Sequence, residues 1–150
     1  GSNCLLMAYV HVAHDCIVGD KVILANGVQL GGHSEIGYHA TVGGVTPVHQ
    51  FCKIGKHAMV AANSKLVQDV PPFILAGKHP VQYAGINSLG LSRRGFSEDE
   101  KADIKKAYRY LFRSDLNQSD ALTRVKEELA DSNHINDILH FYASSKRGII

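Results

Sequence analysis

The sequence predicts a mainly β protein with added α: a parallel β-helix of hexapeptide repeats followed by a small C-terminal helical domain. Every sixth residue from Leu6 to Leu66 is aliphatic, running Leu6, Val12, Val18, Leu24, Leu30, Ile36, Val42, Val48, Ile54, Val60 and Leu66 without insertion. The next position is usually Gly or Ala (Ala13, Gly19, Ala25, Gly31, Gly37, Gly43, Gly55, Ala61), and the fourth is small, from Val10 and Cys16 through Ser34 and Thr46 to Ser64 and Val70. Neither the helical period of about 3.6 nor the strand period of about 2 generates this pattern, whereas a hexapeptide solenoid does. Beyond Val70 the period stops, and helical spacing takes over after Ser97.

Each hexad supplies one short strand and one corner. Three hexads therefore close a triangular coil, and residues 18 apart in the chain stack at the spacing of neighbouring strands, about 4.8 Å. Pro71 and Pro72 remove two backbone donors and are expected to end the ladder, giving a β-helix over 1–72. Residues 73–96 have no clean period, contain Gly77, Pro80, Gly85, Gly90 and Gly95, and read as an irregular connector. The helical domain then spans 97–150. Ser97 with Glu100 forms a capping box, and Ile104, Tyr108, Leu111 and Phe112 at helical spacing predict a helix over 98–113. A second is expected over 119–131 with Leu122, Val125 and Leu129 on one face, and a third over 134–145 with Ile135, Ile138, Leu139 and Tyr142, before a stop at Gly148.

Composition narrows the function classes. The 150 residues are 45% hydrophobic and carry a formal net charge of +2, too weakly basic to indicate nucleic acid but compatible with an acidic partner. No apolar stretch approaches the roughly 20 residues of a membrane span, and no secretory signal opens the sequence, so a cytoplasmic location is expected. Cys16 and Cys52 share a column two coils apart, about 9 to 10 Å, beyond the roughly 7 Å Cα limit for a disulfide. Cys4 falls in a different column. All three read as small buried hydrophobes in a reducing compartment.

The three corners differ in chemistry. One reads Ala13-His14-Asp15, Gly31-Gly32-His33 and His49-Gln50-Phe51, and gathers most of the reactive groups. A second, Gly19-Asp20-Lys21, Gly37-Tyr38-His39 and Gly55-Lys56-His57, reads as solvated surface. The third, Ala25-Asn26-Gly27, Gly43-Gly44-Val45 and Ala61-Ala62-Asn63, is small throughout and admits close approach by a neighbouring subunit or an extended apolar ligand. His39, His57, His79, His134 and His140 have no partner pattern and read as surface residues.

At the first corner His14 is placed to act as a general base, since imidazole titrates near neutrality, and Asp15 beside it to set its tautomer and orientation. The Gly32 N–H, one rung away and without a side chain, is placed to donate to a developing oxyanion. Base, orienter and oxyanion donor suggest acyl transfer. No Ser or Cys nucleophile shares the corner, which favours direct attack by a substrate hydroxyl or amine. Clustered imidazoles are also what a zinc site uses, so metal binding stays an alternative, although no cofactor and no metal are expected.

Several strings in this chain match a family: His11-Val12-Ala13-His14-Asp15-Cys16, Leu30-Gly31-Gly32-His33, Pro47-Val48-His49-Gln50-Phe51-Cys52, Gln68-Asp69-Val70-Pro71-Pro72, Gly85-Ile86-Asn87 and Arg93-Arg94-Gly95-Phe96-Ser97. Together they resemble the UDP-N-acetylglucosamine O-acyltransferases of lipid A biosynthesis, over residues 3–150. The resemblance implies a left-handed parallel β-helix, a homotrimer, and transfer of a 3-hydroxyacyl chain from acyl carrier protein to the glucosamine 3-hydroxyl. It implies that His14 is the general base, Asp15 its orienter and Gly32 the oxyanion donor, with His11, His33, His49 and Gln50 lining the cleft. Asn87, Arg93 and Arg94 match positions that hold the nucleotide, which places a nucleotide-binding segment in the connector, and Ala62 matches the position that limits acyl-chain length. Leu89 stands where the family often carries Glu. Family members also have further N-terminal coils, so the chain is expected to correspond to the C-terminal portion of such an enzyme. The related N-acyltransferase of the same pathway is the runner-up, against which the Arg93-Arg94-Gly95-Phe96 segment argues. A trimeric β-helix fragment without activity is the reading from a different class.

Overall fold

The computed structural model describes residues 1–129 and 131–150. The repeats form ten two-residue strands: β1 (Leu5–Leu6), β2 (His11–Val12), β3 (Ile17–Val18), β4 (Ile23–Leu24), β5 (Gln29–Leu30), β6 (Glu35–Ile36), β7 (Thr41–Val42), β8 (Pro47–Val48), β9 (Lys53–Ile54) and β10 (Met59–Val60). Every third strand pairs in parallel. Thus Leu5 registers with Ile23, Ile23 with Thr41 and Thr41 with Met59, while β2-β5-β8 and β3-β6-β9 form the other two faces. The second residue of each strand points inward: Leu24, Leu30, Ile36, Val42, Val48, Ile54 and Val60 are at most 3% exposed. In the first coil that column is open, with Leu6 48% and Val12 38% exposed.

Two features of the repeat separate in the structure. The Gly positions follow each strand because coils nearly touch there: a Cβ on Gly37 would lie 2.5 Å from Lys56 N, and one on Gly43 2.3 Å from Ala62 N. The left-handed backbone sits two residues later and is rarely glycine, with φ near +58° at Asp15, His33, His39 and His57 and +55° at Val45. From Val22 to Val70 the small column is buried, and its serine hydroxyls are satisfied by corner carbonyls: Ser34 Oγ donates to Gly31 O and Ser64 Oγ to Ala61 O, each at 2.7 Å.

The prolines do not end the sheet. Parallel bridges at Val48–Leu66 and Ile54–Val70 finish two faces, but the third continues through β11 (Ile74–Gly77), which pairs in parallel with β10, and β12 (Gln82–Ile86), which returns antiparallel to β11 with a bulge. Much of the expected irregular connector is therefore ordered structure, completed by a short helix α1 (Ser88–Arg93). The chain divides into one unit of Gly1–Asn87 with Ser145–Ile150, and another of Ser88–Ser144, in place of the expected 1–72, 73–96 and 97–150. The terminal segment rejoins the first unit at buried Asp69, whose carboxylate accepts from Lys53 N–H at 2.7 Å and Ser145 Oγ at 2.6 Å. Asp69 N–H also donates to Gly148 O at 2.8 Å.

The second unit contains α2 (Glu98–Arg113), α3 (Gln118–Leu129) and α4 (Asn133–Ser144). Ser97 caps α2 with the expected reciprocal pair: Glu100 N–H donates to Ser97 Oγ at 3.1 Å and Ser97 N–H to Glu100 Oε2 at 2.7 Å. Asn117 caps α3 by accepting from Asp120 N–H at 2.9 Å. The predicted end of this helix at 131 passes through residue 130, outside the described residues. Ile104, Ala107, Tyr108, Ala121, Val125, Ile135 and Ile138 are fully buried and make the core of the unit. Among the described residues no helix is long and apolar enough to cross a membrane.

Candidate active-site corner

The 18-residue register assembles the first corner. His33 N–H donates to His14 O at 3.1 Å and Phe51 N–H to Gly32 O at 3.0 Å, which stacks the three corner segments. Asp15 takes the left-handed conformation that Asp tolerates, and its Oδ2 lies 2.9 Å from His14 Nδ1. His33 Nε2 is 3.7 Å from the same oxygen, and its ring meets that of His14 edge to face at 5.1 Å. Phe51 stacks on His33 at 4.7 Å with the two rings nearly parallel. The hydrogen bond from His14, reinforced by the charge of His33, holds the Asp15 carboxyl below its ordinary range. All three polar groups face solvent, with the His14 side chain 73% exposed.

Gly32 is buried beneath the His14 ring. A Cβ there would lie 2.7 Å from His14 Cε1 and 2.8 Å from Nε2, so glycine is what lets the imidazole lie over this rung. Its N–H donates to no acceptor among the described residues, which leaves a donor for a ligand oxygen beside the ring. His14 Nδ1 faces the carboxylate, and Cε1 and Nε2 are the ring atoms that lie nearest the place a Gly32 Cβ would take. His14, Asp15 and His33 also form the one grouping with metal-ligand spacing among the described residues, their donor atoms lying within 4.8 Å of one another.

The other predicted residues distribute around this centre. His11 is exposed on β2, the strand that leads into the corner. His49 and Gln50 are exposed on the next coil, with His49 Nδ1 3.0 Å from Gln50 O. Ala62 is exposed on the small corner, where Val45 is also 65% exposed. Asn87 belongs to the first unit and is buried, its Nδ2 donating to His57 O at 2.9 Å. Arg93 and Arg94 belong to the second unit. Arg93 is exposed at the end of α1 and forms no ion pair among the described residues, Arg94 is half-buried just after it, and Leu89 is 63% exposed.

The structure departs from the sequence pattern at several histidines and cysteines. His57 is a buried residue, stacked between His39 at 5.5 Å and Phe73 at 5.7 Å, so the second corner carries an aromatic column instead of plain solvated surface. Nothing in the repeat announces Phe73, because it follows the break in period. His134 is half-buried, with Nε2 3.1 Å from Glu100 Oε1 and its ring 4.6 Å from Phe96. Of the cysteines, Cys52 is buried, and that burial pushes its thiol pKa up, whereas Cys4 and Cys16 are only half-buried. All three are free thiols.

Comparison with known proteins shows what the chain as a whole is similar to. The profile of UDP N-acetylglucosamine O-acyltransferase domain 2 matches residues 69–150, and that of the bacterial transferase hexapeptide matches residues 1–32. The acyl-[acyl-carrier-protein]–UDP-N-acetylglucosamine O-acyltransferase of Thiobacillus denitrificans is 43% identical over 150 residues, covering 100% of this chain and 58% of the relative. That of Burkholderia mallei is 44% identical over 155 residues, covering 100% and 59%. Among solved structures, the UDP-N-acetylglucosamine acyltransferase from Bacteroides fragilis superposes with a TM-score of 0.97 at 42% identity, covering 99% of this chain and 58% of that one. The enzyme from Francisella novicida gives 0.97 at 37% identity, covering 100% and 55%. The chain thus spans somewhat over half the length of these relatives. With the profile matching more than half of its residues, the chain belongs to the UDP-N-acetylglucosamine O-acyltransferase family.

Proposed function

We propose that this chain carries the catalytic corner of an enzyme that moves a 3-hydroxyacyl group from acyl carrier protein to the 3-hydroxyl of UDP-N-acetylglucosamine, the first step of lipid A biosynthesis. The supporting observation is the His14–Asp15 pair at 2.9 Å, its ring lying over a side-chain-free rung in a chain of this family. His14 Nε2 takes the proton of the sugar hydroxyl as its oxygen attacks the thioester carbonyl. Asp15 stays ionised, holds the Nδ1–H tautomer and stabilises the imidazolium that forms. The Gly32 N–H donates to the tetrahedral oxyanion. On collapse the C–S bond breaks, the thiolate recovers the proton from His14, and the ester leaves with the sugar. No covalent enzyme intermediate is needed.

His11, His33, His49 and Gln50 are assigned to the cleft, and Asn87, Arg93 and Arg94 to the nucleotide. Guanidinium groups suit a diphosphate because they donate in pairs to its oxygens. Ala62 is assigned to the far end of the acyl groove, where a methyl leaves room for medium-to-long chains. The enzyme is assigned to the cytoplasm and acts as a homotrimer. Exposed Ile17 and Val45, 63% and 65% accessible, support association along the β-helix. Incubating the full-length protein with 3-hydroxyacyl carrier protein and UDP-N-acetylglucosamine is expected to yield an acylated nucleotide sugar that mild alkali cleaves. An alkali-stable amide, or no product, refutes the assignment.

A further inference from the structure

Lys101 is the one lysine buried among the described residues, 7% exposed, and its ammonium donates to Ser92 Oγ and to Glu98 Oε1, each at 2.6 Å. Burying an ammonium is costly unless it is paired and hydrogen-bonded. Glu98 offers little compensation, because its side chain is 91% exposed and its charge is shared with water. Packing alone would be served as well by an apolar residue, as at neighbouring Ile104 and Tyr108. What the ammonium adds is a grip on Ser92.

Ser92 immediately precedes Arg93 and Arg94. It lies in α1, a helix of 6 residues, too short to persist by its own hydrogen bonds. Fully buried Leu91 anchors this segment, and its carbonyl accepts from Arg94 N–H at 3.0 Å and Phe96 N–H at 3.2 Å. Gly95 N–H donates to Ser92 O at 3.1 Å, with the Gly95 backbone left-handed at φ +84°. The backbone that bears both arginines is thus turned tightly, and Lys101 fastens it from the side at Ser92. We propose that Lys101 is a positioning residue for nucleotide recognition: through Ser92 it fixes the backbone from which Arg93 and Arg94 meet the diphosphate. This inference rests on the reading that those arginines hold the nucleotide.

The test is calorimetric binding of UDP-N-acetylglucosamine to the full-length protein, with steady-state kinetics alongside. Lys101→Met keeps the aliphatic stem and is expected to weaken binding roughly five- to tenfold, since the arginines must then be ordered on binding. KM for the nucleotide sugar should rise equally, while KM for the acyl donor and kcat stay within about twofold. Lys101→Arg should recover most of the loss. Ser92→Ala, which leaves the ammonium on Glu98, should weaken binding about two- to fivefold and covers the case that Lys101→Met does not fold. Unchanged affinity in Ser92→Ala or in folded Lys101→Met, or equal loss toward both substrates, overturns the positioning role. The Arg93→Ala, Arg94→Ala double variant separates the two readings. If it too binds normally, the nucleotide assignment falls; if it alone binds weakly, only the role of Lys101 falls.

Discussion

At the scale of single residues, the proposed catalytic corner depends on an absent side chain as much as on those present. A Cβ at Gly32 would lie 2.7 Å from the His14 ring, and that ring is exposed enough to swing away instead of unfolding the coil. Gly32→Ala is therefore expected to preserve the melting temperature within a few degrees and to lower acyl transfer at least tenfold, roughly the penalty of displacing a catalytic group by a fraction of an ångström. Normal turnover in this variant would show that the ring does not work over this rung. His14, Asp15, Gly32 and His33 were legible in the sequence because residues 18 apart must stack in a hexapeptide coil, which makes neighbours computable without coordinates. The nucleotide role proposed for Asn87, Arg93 and Arg94 comes from family resemblance alone, because no repeat register reaches them. The stacking of His57 on Phe73 was not legible, since Phe73 lies beyond the last regular hexad, where register no longer predicts position.

Elements are held at their ends by polar groups that periodicity cannot reveal. Asp69 ties the terminal segment to the last coil through Lys53 N–H and Ser145 Oγ. Asp69→Ala leaves a part-buried N–H without its acceptor and is expected to cost about 1 to 3 kcal/mol, read as a lower urea midpoint, with Ser145→Ala costing less. Equal stability of Asp69→Ala and the parent would remove this anchor. In the helical unit, Glu128 accepts from Tyr110 Oη at 2.7 Å, Arg124 Nε at 2.9 Å and Lys106 Nζ at 2.9 Å. The Tyr110 hydrogen bond, then those of Arg124 and Lys106, lower its pKa from 4.5 to about 2. A depressed carboxylate stabilises the fold above its unfolded pKa and loses that contribution as pH falls through the folded value. The melting-temperature advantage of the parent over Glu128→Gln should be full above about pH 4.5 and shrink toward pH 2. A pH-independent difference would contradict it. The bounds of the three long helices, the end of the second aside, were legible to within a residue because apolar spacing, and at Ser97 a capping box, marked them. The β11 and β12 strands were not, since Pro71 and Pro72 are tolerated at a coil corner and the strands after them alternate too briefly to register as a pattern.

The whole molecule places a repetitive scaffold beneath a few irregular, chemistry-bearing positions. The β-helix supplies rigid spacing, and exposed Ile17 and Val45 together with the small corner around Ala62 supply surface that a neighbouring copy can cover. Light scattering of the full-length protein is expected to give three times the chain mass, and a monomer at micromolar concentration would contradict the trimer. In the proposed mechanism His14 removes the proton of the attacking hydroxyl. The most direct test of this step is the rate of acyl transfer from 3-hydroxyacyl carrier protein to UDP-N-acetylglucosamine by the full-length protein and its His14→Ala variant, with fold and association verified in both. General-base catalysis predicts a loss of about 10² to 10⁴ in rate with the fold and assembly unchanged, and near-normal turnover by the variant would contradict it.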